Sequence, residues 1–231
     1  SHQHINRKNP GRMKKHFLIP ARRDSKGVPY KNRSLVPVIF NKFPEKYKDS
    51  ILLTSNDEEI IKLATTMGIK TRLRPDELAS DTASMKSVIK DTIKFFDIKD
   101  DDIIVVLYPT YPDRDLADIE SALSFFGEHE LSSMLCKKIA KTHPYMCLRV
   151  SSGIHGEPLV EHDLYRRQDY PECFEISHFI CILEAGEINK LNHQLYNTET
   201  GFFSVADKLD VDYKEDFEQF QNKDYGVKLG Q

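Results

Sequence analysis

Short runs in which nearly every residue is apolar alternate along the chain with longer stretches in which apolar residues recur every three or four positions. HFLIP (16–20), SILLTS (50–55), IKTRL (69–73), DIIVVLY (102–108) and LSSMLC (131–136) are the strand candidates, and their continuous apolarity suits strands covered on both faces. Between them, 56–66 predicts a helix, with Ser55 or Asn56 to cap it and Asp57, Glu58 and Glu59 in its first turn. Ile60, Ile61, Leu63 and Ala64 give it one apolar face, and Gly68 ends it. Residues 84–96 and 115–126 repeat the pattern, the second with Leu116, Ile119, Ala122, Leu123 and Phe126 near helical spacing. Strand and helix in alternation predict an α/β fold, a mainly parallel sheet with helices on both faces.

After about residue 140 the pattern changes. KTHPYMCLRVSSGIHGEPLVEHD sets turn signals between short β-prone runs, as in a hairpin excursion, and 140–182 is expected to form an inserted arm. Residues 13–231 are expected to make one domain, with no internal repeat and no low-complexity tract. Residues 1–12 lack an apolar core segment and read as an appended or disordered lead-in rather than a signal peptide.

The 231 residues suffice for one sizeable α/β domain. A near-balance of 33 Lys and Arg against 36 Asp and Glu argues against a nucleic-acid-coating protein, so any anion site must be local. No apolar run approaches the ~20 residues of a membrane helix, so no membrane partner is expected. Cys136, Cys147, Cys173 and Cys181 form no metal-binding spacing and no disulfide framework, which fits reduced thiols and a cytoplasmic location.

Local positive charge is concentrated after the first strand. IPARRDSKGVPYKN and the Arg33 that follows it carry Arg22, Arg23, Lys26, Lys31 and Arg33 against the single acid Asp24. In an open α/β sheet, the loop at the carboxyl end of the first strand faces the ligand crevice. Small residues such as Ser25 and Gly27 free backbone N–H groups for phosphate oxygens, and fixed cations neutralise them. The segment is not a Walker loop, and a solvated basic loop is the alternative that composition leaves open. At the far end, Asp210-Val211-Asp212 reads as part of a short strand, with both carboxylates on one face. Mutual repulsion there is relieved by a divalent cation such as Mg²⁺, and the other reading is a charged surface turn. Asp216 reads as a helix N-terminal acid.

IPARRDSKGVPYKN resembles the opening signature of the CMP-sialic acid synthetase family, cytidylyltransferases that activate nine-carbon acid sugars. RPDELASDTAS (74–84) resembles that family's cytosine-binding stretch, YPTYPDR (108–114) its QPTSPLR segment and RRQDYP (166–171) its acceptor-arm motif. GFF (201–203) with LDVDYKEDF (209–217) resembles its aromatic pair and D-x-D segment, so the likeness runs from Met13 to about Phe220. The Kdo-activating relatives are less similar in their basic signature.

The resemblance implies a Rossmann-like, glycosyltransferase-A-like nucleotide-diphospho-sugar transferase fold with a small dimerisation arm, and hence a homodimer. It implies CTP and an acid sugar as substrates and Mg²⁺ as cofactor. Arg22, Ser25, Lys26, Gly27, Lys31, Asn32, Arg74, Ala83 and Ser84 would hold the nucleotide, with Asp81 and Thr82 open to a capping role instead. Asp210 and Asp212 would hold the metal, with Arg22, Lys31 and Asp212 catalytic. Tyr108, Arg167, Phe202 and Phe203 would face the acceptor, although Arg167 could serve only the arm and the Phe pair only the core. Tyr108, Glu175, Ser177, His178 and Cys181 depart from the family pattern, which leaves the acceptor open to another acid sugar or a phosphonate. The non-catalytic alternative is a nucleotide-sugar-binding paralogue.

Overall fold

The computed structural model describes residues 13–227, so the expected lead-in at 1–12 lies outside the described residues. In chain order the elements are β1 (Lys15–Pro20), α1 (Asn32–Lys42), β2 (Ile51–Ser55), α2 (Glu58–Thr66), β3 (Lys70–Leu73), α3 (Met85–Phe95) and β4 (Ile103–Val106). They continue with α4 (Leu116–Glu128), β5 (Ser133–Ile139), β6 (Leu148–Ser152), β7 (His155–Pro158), β8 (Phe174–Glu184), β9 (Gly201–Ser204) and α5 (Lys214–Gln221).

Seven strands form one sheet in the order β3-β2-β1-β4-β8-β5-β9. The first four run parallel, β8 is antiparallel to both its neighbours, and β9 runs parallel to β5. β1 lies at the centre of the parallel half, and alternation along it divides the core. Phe17 and Ile19 join Val36 and Ile39 of α1, Ile60 of α2 and Ile119 of α4 on one face. Leu18 joins Ile89 of α3, Ile104 and Val106 on the other. Helices cover both faces, which explains the continuous apolarity of β1, β2 and β4.

The cap of α2 is Asp57 rather than Ser55 or Asn56. Its side chain accepts from the Glu59 N–H, while Ser55 Oγ accepts from the Asp57 N–H. Helix α1 occupies a stretch that the sequence pattern leaves unassigned. It carries Pro37 internally yet buries Leu35, Val36, Val38, Ile39 and Phe40. The excursion after β5 holds β6 and β7 as a separate antiparallel hairpin. Its downstream limit lies earlier than expected, since 174–182 belong to β8 in the main sheet. All four cysteines are free. Among the described residues, no helix is long and apolar enough to cross a membrane.

Candidate active site

Parallel strands end on one side of a sheet, so the segments following β1, β2, β4, β5 and β9 emerge at a common edge. Backbone hydrogen bonds tie these exits together: Ala21 N–H donates to Thr54 O at 2.9 Å and Leu107 N–H to Leu18 O at 2.8 Å. A cleft of about 170 Å³ opens there, lined by Pro20, Arg22, Ser25, Lys31, Asn32, Arg74, Met85, Tyr108, Pro109 and Thr110.

The basic segment divides in two. Arg22 Nη1 donates to Asp81 Oδ1 at 2.8 Å, and the exposed Lys26 ammonium lies 3.7 Å from the other oxygen of that carboxylate. Arg23 and Arg33 turn elsewhere: the Arg23 guanidinium lies 3.5 Å from Asp24 Oδ2, and Arg33 forks onto the buried Asp57 carboxylate. Five cations therefore do not converge. Arg33 lies on α1 and braces the start of α2. Tyr30 takes a left-handed φ of 58°, a conformation costing an ordinary residue about 1–2 kcal/mol. The Arg33 guanidinium stacks on the Tyr30 ring, 4.3 Å from its centroid. The turn sends Lys31 inward, where it is only 8% exposed and donates to Val211 O at 2.8 Å. Burial lowers its pKa, against the opposing pull of Asp212 and Asp210. Asn32 Nδ2 donates to Arg22 O at 3.0 Å and holds the loop.

The acidic pair meets this loop directly. A Cβ placed on Gly27 would collide with the Asp212 carbonyl, so the two backbones touch at a position only glycine fits. Asp210-Val211-Asp212 is not part of a strand, contrary to expectation. Val211 is fully buried and its N–H donates to Thr110 O at 2.8 Å, while the Asp212 N–H turns back onto Asp210 O at 3.1 Å. Asp216 Oδ2 accepts from the N–H groups of Asp212 and Tyr213, capping α5. The Asp212 carboxyl is pushed up to about 6 by loss of hydration, then by Asp210 beside it, against the pull of Lys31. Asp210 Oδ1 is buried with no hydrogen-bond partner. A crowded carboxylate and an orphaned carboxylate oxygen are what a hard divalent cation would relieve, so this pair fits Mg²⁺. Among the described residues no group of three or more His, Cys, Asp or Glu forms a metal cage, which leaves the remaining positions to water and phosphate.

On the nucleotide side, Arg74 is buried at 5% exposure and already committed, donating to Leu78 O at 3.0 Å and Thr54 O at 3.4 Å. Burial, with Arg22 nearby, lowers it to about 10, and its Nε remains unpartnered. Ser84 is the cap of α3, accepting from the Ser87 N–H at 3.1 Å. Neither Asp81 nor Thr82 caps that helix: Asp81 bonds Arg22, and Thr82 Oγ1 lies 3.2 Å from Ser80 Oγ. Ala83 N–H donates to Ser80 O, and Ala83 and Ser84 do not line the cleft, although Met85 immediately after them does.

On the acceptor side, Tyr108 lines the cleft, with its hydroxyl pKa driven up by burial and its ring edge-on to His178 at 5.9 Å. His178 Nε2 lies 3.0 Å from Gln194 O. Phe202 and Phe203 cannot act as a pair, because adjacent strand residues face opposite ways. Phe202 packs on Tyr196 on the face of the sheet that also holds Tyr108, whereas Phe203 packs on Phe125 of α4 on the other. Arg167 is exposed on the arm and does not line the cleft. Of the altered positions, Glu175 Oε2 is buried without a partner, Ser177 Oγ accepts from the Phe179 N–H, and Cys181 lies in the core.

Two residues of the 108–114 segment matter in ways its pattern does not announce. Arg114, only 4% exposed, donates to Phe179 O at 2.9 Å and Tyr108 O at 3.0 Å, stapling β8 to the cleft loop. Tyr111 packs on Phe179 with its hydroxyl toward Ser177 and Asp210. An arginine within a Pro-rich turn gave no signal of burial.

This architecture, a mainly parallel Rossmann-like sheet with one antiparallel strand, is shared with solved cytidylyltransferase structures. The solved CMP:2-keto-3-deoxy-manno-octonic acid synthetase complexed with CTP matches at a TM-score of 0.64 and 13% identity, covering 90% of this chain and 97% of that one. A 4-diphosphocytidyl-2C-methyl-D-erythritol synthase matches at 0.58 and 10%, with 90% and 97% covered. In sequence the chain is similar to the N-acylneuraminate cytidylyltransferase of Streptococcus agalactiae serotype V, 27% identical over 224 residues, covering 89% of this chain and 52% of the relative. The Escherichia coli O18:K1:H7 enzyme of the same name is 26% identical, with 87% and 50% covered. The pseudaminic acid cytidylyltransferase of Campylobacter jejuni is 34% identical over 110 residues, 43% of this chain and 47% of the relative. The chain spans about half the length of the curated relatives it matches. No protein-family model matches it.

Proposed function

We propose that this chain is a cytidylyltransferase that transfers CMP from CTP to an acid sugar of the nonulosonate type and releases pyrophosphate. The observation that carries the reading is the contact between the cation loop and the acidic pair: Gly27 lies on the Asp212 backbone, and Lys31 bonds Val211 O between the two aspartates. A polyphosphate in that cleft would meet Arg22, Lys31 and the backbone at 25–27 on one side and two carboxylates on the other.

The anomeric hydroxyl oxygen attacks the α-phosphorus, a new P–O bond forms, and the bond to the bridging oxygen of the β-phosphate breaks. Arg22 and Lys31 neutralise the leaving pyrophosphate, and Asn32 holds the loop that orients it. Asp212 takes the hydroxyl proton. We assign Asp210 and Asp212 to hold Mg²⁺, which when bound supplies positive charge against the phosphoryl oxygens. Tyr108 and Phe202 shape the acceptor side. Arg167 belongs to it only if the arm of a second copy brings it there, so a homodimer is part of the reading, as is a cytoplasmic setting for CTP and its sugar.

Tyr108, which stands at the first position of the QPTSPLR pattern and packs edge-on to His178, favours a second reading, the same chemistry on a different acid sugar or a phosphonate. A pyrophosphate-release screen of CTP, ATP, GTP and UTP against acid sugars and phosphonates tests both. CTP-dependent release with one acceptor class is expected, and Asp212→Ala should lower turnover on the order of 10²-fold. Mg²⁺-dependent CTP binding without release from any acceptor would instead identify a nucleotide-sugar-binding paralogue.

A further inference from the structure

We propose that Asp81 is an intramolecular competitor for the phosphate-binding cations, an acidic latch whose displacement is part of nucleotide entry; this rests on the assignment of the cleft to CTP. Asp81 stands on the loop between β3 and α3, 59 residues from Arg22, and reaches across the cleft mouth to it. One carboxylate oxygen takes Arg22 Nη1 at 2.8 Å and the other lies 3.7 Å from the Lys26 ammonium. Both cations belong to the loop that would receive the β- and γ-phosphates, and a carboxylate between them offers the charge and geometry of a phosphate edge.

Two magnitudes set the consequence. The pair is partly solvated, with the Arg22 side chain 31% exposed and that of Asp81 50%, so it holds weakly and yields to a multiply charged polyphosphate. The cleft beneath measures about 170 Å³, below the roughly 300 Å³ at which small-molecule sites begin. A polyphosphate that takes Arg22 and Lys26 displaces this carboxylate from both cations, so the pair parts as the ligand binds. The carboxylate then remains as a negative charge close to the phosphates, which lowers their affinity and speeds pyrophosphate departure.

The test is calorimetric titration of the full chain with CTP and with inorganic pyrophosphate at fixed ionic strength, for wild type, Asp81→Asn and Asp81→Glu. Asp81→Asn should bind pyrophosphate about threefold to tenfold more tightly, and Asp81→Glu should return toward wild type. Pyrophosphate inhibition of turnover should strengthen in parallel. A residue that merely orients Arg22 or supports the loop predicts weaker binding on substitution, and unchanged or weaker binding by Asp81→Asn overturns the latch. Wild-type protein that binds neither CTP nor pyrophosphate would overturn the nucleotide assignment itself, a separable result.

Discussion

Gly27 lies against the Asp212 backbone, where any side chain would meet a carbonyl rather than a flexible tip. Gly27→Ala must push the Asp212 carbonyl away, separating the cation loop from the acidic pair while leaving the strands beneath untouched. Displacements near 1 Å at a reacting centre cost as much as about 10²-fold in rate, so turnover should fall by tens to a hundredfold. Thermal melting should move little, and a variant with full pyrophosphate release would deny that the contact matters. The close approach of Gly27 to the Asp212 backbone was not in the pattern, which offered Gly27 only as a small residue freeing N–H groups for phosphate; the concentration of cations after the first strand was legible. The commitments of Arg74 and Arg114 were not. Each is a buried guanidinium consumed by backbone carbonyls, and which carbonyl lies within reach is decided by chain exits far apart in sequence. The division of Phe202 from Phe203 was within reach, because period-two alternation alone sets neighbours in a strand on opposite faces.

At the scale of elements, the strands and helices with strong periodicity formed where the pattern placed them, and the misses have physical causes. Helix α1 combines an internal proline with β-branched residues, both unfavourable to a helix, and forms because burial of Leu35, Val36, Ile39 and Phe40 against the sheet outweighs them. Strand β8 was hidden inside the arm because its antiparallel course breaks the alternation that marks the parallel half. The D-x-D segment lacks a strand partner and is held instead by the Val211 bonds to Thr110 and Lys31 and by the α5 cap. Asp57 shows how one residue serves two elements, capping α2 while taking the Arg33 fork from α1 at 1% exposure. Asp57→Ala should lower the unfolding free energy by about 1–2 kcal/mol, the loss of a good cap. Asp57→Asn, which keeps an acceptor oxygen, should recover most of it. Urea melts with shifted midpoints and constant slope would check this, and an alanine variant as stable as wild type would remove the cap from the account.

For the whole molecule, the arm presents an apolar surface that nothing else in the described chain covers. Leu148, Val150, Ile154, Leu159, Leu164 and Tyr165 are all exposed, Ile154 and Tyr165 at 96%. The β6–β7 hairpin pairs only with itself, and an isolated two-stranded ribbon is marginal in water. A second copy docking arm to body would cover that surface and carry Arg167 toward a neighbour's cleft. Light scattering at micromolar concentration should give twice the chain mass, and Val150→Glu with Ile154→Glu should give a monomer that melts within a few degrees of wild type. Complementation between subunits tests the shared site more sharply. If each site combines its own Asp212 with the Arg167 of the other subunit, Arg167→Ala and Asp212→Ala proteins are each impaired. Half of a randomly mixed population is then heterodimeric with one intact site in two, which restores about one quarter of wild-type turnover. A dimer whose mixture stays as inactive as its components would keep Arg167 out of the neighbouring cleft and confine the arm to assembly.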